Sequence, residues 1–229
     1  MWGLGLSGRF SEGYFSGARS GYKHGYTWKT MGYLLRSKFR KAVRHSKFKS
    51  GRWLDIGCAK GFLLRLASQN GWEPFGFDIC AYAVKEARRV CPDAHLLILD
   101  AEHQLPFPDG FFEVVTAFEV IEHLNRPLSL LNEVYRVLRR DGLFFVTTPN
   151  ISSVFSSPIV RRVCGAVKYS TPFHDETHIS YFGSRSLERS LRKCGFIDVE
   201  ISYSWDALWR LHFKAPRWLG WTLEALAYR

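Results

Sequence analysis

Leu54-Asp55-Ile56-Gly57-Cys58-Ala59-Lys60-Gly61 is the stretch on which the reading of this chain turns. Trp53, Leu54 and Ile56 are apolar and suit a buried parallel strand. Asp55 sets a carboxylate in that run, and residues 62–66 resume an apolar stripe at helical spacing. The pattern predicts strand, tight turn, helix. Glycine at 57 and 61 suits a turn that needs positive φ or the absence of Cβ, and the helix beyond it presents unpaired N–H groups. Such a turn is a candidate nucleotide-type site.

Outward from the turn the chain alternates. Residues 62–70 form a helix ended by Gly71, 73–78 a second strand, 81–90 a helix stopped before Pro92, and 94–99 a third strand with Asp100 at its end. A Pro-bearing loop over 105–110 leads to a strand at 112–117. A helix follows at 128–138, and Asp141-Gly142 turns the chain into a strand at 143–147 that Pro149-Asn150 stops. This spacing predicts an α/β fold with a doubly wound, mostly parallel sheet covered on both faces. Before it, residues 28–46 read as an amphipathic helix with a basic outer face. Residues 1–30 are interrupted by glycines yet carry Phe10, Tyr14, Phe15, Tyr22, Tyr26 and Trp28. That segment either folds over a ligand as a lid or packs as an aromatic tail on the surface.

Beyond Asn150 the regularity weakens. Part of 151–168 reads as helix, 170–178 as a polar loop, 184–194 as a helix ended by Gly195, and 196–203 as a strand. The stretch 205–228 mixes Trp205, Trp209, Trp218 and Trp221 with Arg210, Lys214 and Arg217. It suits a helical cap docked on the domain or on a second subunit, and equally an interfacial membrane helix, broken at Pro216. The organisation expected is a lid and helix over 1–46, a main domain over 47–203 and an aromatic, basic tail over 204–229.

The 229 residues, 46% of them hydrophobic, can bury one sizeable core. A net charge of +11 favours an anionic partner, but the cations fall in several clusters that solvated helix faces explain as well. Five cysteines without CxxC spacing give no zinc signature and fit free thiols in a reducing compartment. Without a leader-like start or a membrane-length apolar run, a cytoplasmic location is expected.

In an open parallel sheet, ligands sit beyond the carboxyl ends of the strands where strand order reverses. Those ends carry Asp55, Asp78, Asp100 and Phe118-Glu119. Asp78, 23 residues after Asp55, is placed to accept hydrogen bonds from ribose hydroxyls, and Asp100 can face an exocyclic amine with Ala101 leaving room beside a base. The glycine spacing differs from that of a dinucleotide fingerprint. A carboxylate at 55 would repel phosphate and suit a ligand bearing an ammonium group.

These residues resemble class I S-adenosylmethionine-dependent methyltransferases. The quoted stretch looks like their first motif, Phe77-Asp78 like the ribose-holding acid, and Asp100-Ala101-Glu102 with Leu105-Pro106-Phe107 like the loop beside the adenine. Residues 118–124, Phe-Glu-Val-Ile-Glu-His-Leu, look like the motif after the fourth strand. The match continues through 133–142 and 147–150, and 178–196 resembles a region common in small-molecule members. The likeness to the ubiquinone-pathway O-methyltransferase group implies S-adenosylmethionine as donor, S-adenosylhomocysteine as product, and Asp55, Gly57, Cys58, Ala59, Gly61, Asp78, Ile79, Asp100, Ala101, Glu102, Phe118 and Glu119 at the cofactor. Ala59 stands where the family has a glycine and fits if its φ is negative.

Direct displacement needs the donor methyl and the acceptor in line, and a base only where the acceptor carries a proton. His123 is the candidate base; otherwise it is a helix-start histidine bonded to backbone. Tyr14, His178 and Tyr181 are candidates for holding substrate. Glu119, Glu122 and His123 at i, i+3 and i+4 could share a helical face and ligate a divalent ion, as that group implies, although the main reading assigns no metal. His174, Asp175 and Glu176 beside His178 read as a polar loop near the entrance. The expected acceptor is an oxygen or nitrogen, less so a carbon, of a small molecule, a saccharide or a lipid-like intermediate. A homodimer or peripheral membrane contact fits the tail, and nucleic acid is disfavoured for want of a recognisable module. The alternatives are a non-catalytic cofactor-fold binding module and an RNA methyltransferase.

Overall fold

A computed structural model of the protein describes residues 10–16, 25–153, 177–205, 213–214, 216–217 and 219–229. A short helix α1 (Glu12–Ser16) precedes α2 (Trp28–His45), which Thr27 caps in a reciprocal pair with Thr30. The alternating core follows: β1 (Gly51–Ile56), α3 (Phe62–Gln69), β2 (Trp72–Asp78), α4 (Ala81–Val90), β3 (His95–Ile98), β4 (Phe112–Phe118), α5 (Pro127–Val137) and β5 (Leu138–Pro149). The chain closes with α6 (Ser184–Lys193), β6 (Ile197–Trp205), β7 (Phe213–Lys214) and β8 (Thr222–Tyr228).

All eight strands form one sheet in the order β3-β2-β1-β4-β5-β8-β6-β7. The first five are mutually parallel, and β8 runs antiparallel to both its neighbours. Order reverses at β1, whose neighbours are β2 and β4, so the crevice for a ligand lies at the carboxyl ends of those strands. Apolar clusters cover both faces. Leu130, Leu131, Val134 and Val137 of α5 and Leu187 and Leu191 of α6 pack on one, while Leu35, Phe39 and Ala42 of α2 and Leu63, Leu66 and Ala67 of α3 pack on the other. Phe39 stacks on Trp53 with 5.2 Å between ring centroids, which fixes α2 against the strand that leads into the glycine turn.

The tail requires a correction. Residues 222–228 are neither a helical cap nor an interfacial helix but a strand inserted between β5 and β6, and among the described residues no helix lies beyond α6. The physical reason is a period of two. Leu223, Ala225 and Ala227 enter the cluster on the α5 face, and Leu226 enters the one on the α2 face. Glu224 is buried and bridges to Lys41 of α2 at 2.7 Å. Asn150 anchors the return to this strand: its side-chain amide donates to the Arg217 and Gly220 carbonyls at 3.0 Å, and its backbone N–H to that of Trp221 at 2.7 Å. Strand β5 is also longer than the 143–147 expected, because Leu138 already pairs with Phe112 ahead of the Asp141 turn at φ +63°. The helix expected in 151–168, the cluster of His174, Asp175 and Glu176, and most of 205–221 lie outside the described residues.

Candidate functional site

The turn after β1 has three left-handed residues, each with a different role. Gly57 sits at φ +68°, and a Cβ there would lie 2.6 Å from Val120 Cγ2, so glycine lets the segment after β4 close on the turn. Gly61 at φ +74° is the N-cap of α3 and touches α4, where a Cβ would fall 2.9 Å from Ala87 Cβ. Its role is packing. Ala59, expected at negative φ, is at +47° instead, a conformation that costs an L-residue about 1–2 kcal/mol. Its methyl packs with Phe15, Tyr26, Cys80 and Ala83, which secures the turn against the N-terminal segment. Cys58 turns away from the crevice into a cluster with Leu64, Ala87 and Cys91, and burial pushes its thiol well above the usual range.

The strand-end acids converge here, at different depths. Asp78 is buried and accepts from the backbone N–H groups of Ala59 and Cys80, both at 2.9 Å, joining the ends of β1 and β2. Burial raises its pKa and those two bonds oppose the rise. Asp55 lies deeper, accepting from the Thr116 hydroxyl at 2.7 Å, and desolvation pushes its pKa up to about 7. Asp100 accepts from the Glu102 N–H at 2.9 Å. Glu102 is committed elsewhere, since its carboxylate takes the N–H groups of Asn125 and Arg126 and fastens the loop that starts α5. The Leu105-Pro106-Phe107 loop is clamped in turn by Arg136, which donates to the Leu105 and Phe107 carbonyls and pairs with Glu133 at 2.7 Å.

Between the strand ends and the N-terminal segment lies a cavity whose lining is mostly apolar, with a few polar and charged side chains among it, as small-molecule sites have. Of the predicted cofactor residues, Gly57, Ala59, Asp78, Ile79, Asp100, Ala101, Phe118 and Glu119 line it. Asp55, Cys58, Gly61 and Glu102 stand behind the wall. Phe10, Tyr14, Phe15 and Tyr26 roof it, so the aromatic N-terminal segment folds over the crevice. Tyr26 stacks on Phe62 at 5.8 Å, tying that roof to the start of α3.

Sequence reasoning missed Lys38. It is 2% exposed, lies on the apolar face of α2 beside Leu34, Leu35 and Phe39, and is the one Lys or Arg among the described cavity residues. Its ammonium donates to Thr147 Oγ1 at 3.3 Å and sits 5.0 Å from the centre of the Phe118 ring. Thr147 passes a 2.8 Å hydrogen bond on to Glu119, whose φ of +55° turns the chain at the end of β4. A lysine inside an otherwise apolar helical stripe was the available signal.

His123 also lines the cavity. It belongs to a 3-10 turn (Ile121–His123) rather than an α-helix, so Glu119, Glu122 and His123 do not present the i, i+3, i+4 face expected of them. His123 Nδ1 is 3.1 Å from the Thr177 carbonyl and 3.0 Å from its hydroxyl. A carbonyl only accepts, so this contact favours the Nδ1–H tautomer and leaves Nε2 the basic nitrogen. Phe10 meets the ring edge-on at 5.0 Å and His178 at 4.8 Å. Glu122 is fully buried and accepts from Thr148 at 3.0 Å; burial, and after it the neighbouring Glu119, push its pKa well above the usual carboxylate range. The ligand-type atoms of Glu122, His123 and His178 lie within 4.8 Å of one another, a mixed nitrogen and oxygen set that replaces the expected trio. Tyr181, also expected at the substrate, is 52% exposed, and its hydroxyl donates to the His178 carbonyl at 3.1 Å, so it buttresses that segment.

A family model described as a methyltransferase domain matches residues 27–201. The chain belongs to that family. It is 31% identical over 148 residues to a probable S-adenosylmethionine-dependent methyltransferase of Mycobacterium tuberculosis, covering 65% of this chain and 49% of that protein. It is 28% identical over 122 residues to a ubiquinone biosynthesis O-methyltransferase of Methylococcus capsulatus, covering 52% and 51%. The chain thus spans about half the length of these relatives. Among solved structures, a S-adenosylmethionine-dependent methyltransferase from Archaeoglobus fulgidus superposes with a TM-score of 0.66 at 22% identity, over 86% of this chain and 93% of that one. The class I, Rossmann-like fold read from the sequence is therefore the fold of the family, whose cofactor is S-adenosylmethionine.

Proposed function

We propose that the chain transfers the methyl group of S-adenosylmethionine to an oxygen or nitrogen of a small, apolar or lipid-like acceptor, releasing S-adenosylhomocysteine. The observation that carries this reading is a cavity lined by three carboxylates, one buried lysine and a histidine. When bound, the donor supplies an electrophilic methyl on a sulfonium. Asp78 has lone-pair capacity beyond its backbone bonds and can accept from ribose hydroxyls, while Asp100 and Ala101 flank the base. Lys38 is the counter-charge for the donor's carboxylate, and Glu119 lowers the cost of holding positive charge in a dry site. His123 Nε2 takes the acceptor's proton, with Thr177 fixing the ring. The aromatic roof excludes water from the displacement and offers apolar surface to the acceptor.

Calorimetric titration with S-adenosylmethionine and S-adenosylhomocysteine tests the donor half. Micromolar or tighter binding of both is expected, and absence of either isotherm overturns the reading in favour of a scaffold domain. Methyl transfer from labelled donor to a panel of phenols, amines and lipid extracts tests the acceptor half. Transfer confined to RNA would replace the acceptor class.

A further inference from the structure

Helix α2 carries a one-sided array of cations that the cavity does not use. The helix contains no Asp or Glu, and its inward cations are satisfied, Lys41 by Glu224 and Lys38 by Thr147. Outward, Lys29, Tyr33, Arg36, Arg40 and Arg44 are all exposed. At 100° per residue these five fall within an arc of about 80° and run for about 22 Å along the axis. Arg36 stacks over Trp28 at 4.8 Å, and among the described residues no carboxylate lies within ion-pair distance of Lys29, Arg36, Arg40 or Arg44. Helix α6 differs, because Glu188 interrupts its cations and pairs with Arg192 at 3.0 Å.

The stripe starts where the cavity is roofed. Trp28 and Met31 lie in the first turn of α2, and Met31, Leu34, Leu35 and Lys38 of the same helix line the cavity. Its other end reaches the far side of the domain, where the Tyr228 hydroxyl donates to the His45 carbonyl at 2.9 Å. One helix thus shows the cavity on its inner face and a straight, convex row of charge on its outer face. A convex row has no groove for a base and only Tyr33 as an exposed ring, features that disfavour a nucleic acid. A planar array of negative head groups complements it, with Tyr33 at the depth where amphipathic rings settle.

We propose that the outer face of α2 docks the enzyme on an anionic lipid bilayer, so that an apolar acceptor enters the cavity from the membrane rather than from solution. The inference rests on the methyltransfer reading for its purpose, whereas the docking itself is tested separately. The purified full chain is sedimented with vesicles of equal phosphatidylglycerol and phosphatidylcholine, and with phosphatidylcholine alone, at low and high salt. Binding to the anionic vesicles only, released by salt, is expected. The triple variant R36Q/R40Q/R44Q should bind them on the order of 100-fold more weakly, at about fivefold for each cation. S-adenosylhomocysteine binding and the melting temperature of that variant should match the parent, which separates lost docking from lost folding or a failed donor site. A parent that ignores anionic vesicles, or a variant that binds them as well as the parent, overturns the proposal. So does mixed-sequence RNA that binds the parent more tightly than the vesicles and displaces it from them.

Discussion

The two ends of the cavity are built in opposite ways. The strand-end side is local: Asp55, Asp78 and Asp100 lie at the ends of successive parallel strands, and register alone brings them together. The histidine side is assembled from distant segments. His123 follows β4, Thr177 and His178 come from beyond β5, and Phe10 arrives from the N-terminal segment. Strand order is the commonest arrangement a sheet can hand to many substrates, so a shared donor is read there. Loops and lids that meet only in the folded state are free to vary, which is why the proposed reading puts acceptor choice on the histidine side.

The largest effect should come from the histidine side. His123→Ala is expected to lower turnover by about 10²–10⁴-fold, the range for a lost general base, while calorimetry shows S-adenosylhomocysteine binding unchanged. A matching loss of donor affinity would erase the distinction between the two ends. Next comes pH. Asp55 has a folded pKa of about 7 against an ordinary 3.8, so the folded state keeps its proton longer than the unfolded chain does. The stability this provides is complete below about pH 4 and disappears as pH rises through 7, a loss of up to ~4 kcal/mol. Denaturant melts between pH 4 and 8 should show the decline, and Asp55→Asn should flatten it.

Smaller effects probe the donor side. Asp78→Asn should weaken S-adenosylhomocysteine binding by about 1–3 kcal/mol, the cost of hydrogen bonds to a charged acceptor, and an unchanged affinity would place the ribose elsewhere. Ala59→Gly should raise thermal stability by about 0.5–1 kcal/mol, since it relieves a left-handed alanine at some entropic cost. A drop in melting temperature would mean that the Ala59 methyl contributes more through its contacts with Phe15 and Tyr26 than its backbone strain costs.

The same contrast governs what the sequence discloses. The glycine turn, the acids and the first four parallel strands are legible because each is written in a run of fewer than ten residues, with apolar identity and periodicity agreeing. The placement of Glu102 and Cys58 is not, because a strand-end position does not say which way a side chain turns. Ala59 reads as a small residue whichever sign its φ takes. Strand β8 escapes for another reason: its alternation over Thr222–Tyr228 follows a stretch so rich in tryptophan and cations that the whole reads as one amphipathic surface element. The bond from His123 to Thr177 spans 54 residues and has no local trace.

Strand β8 also bears on how the sheet is completed. It is flanked by β5 and β6, both earlier in the chain, and pairs along seven residues of β5. β5 ends at Pro149 and β8 begins only at Thr222, so during synthesis the edge of β5 that β8 will cover stands open while the chain between them is made. Closing that gap is a high-contact-order event that waits for β8, and until then the nascent domain is open to pairing with other chains and dependent on whatever shields exposed edges in the cell.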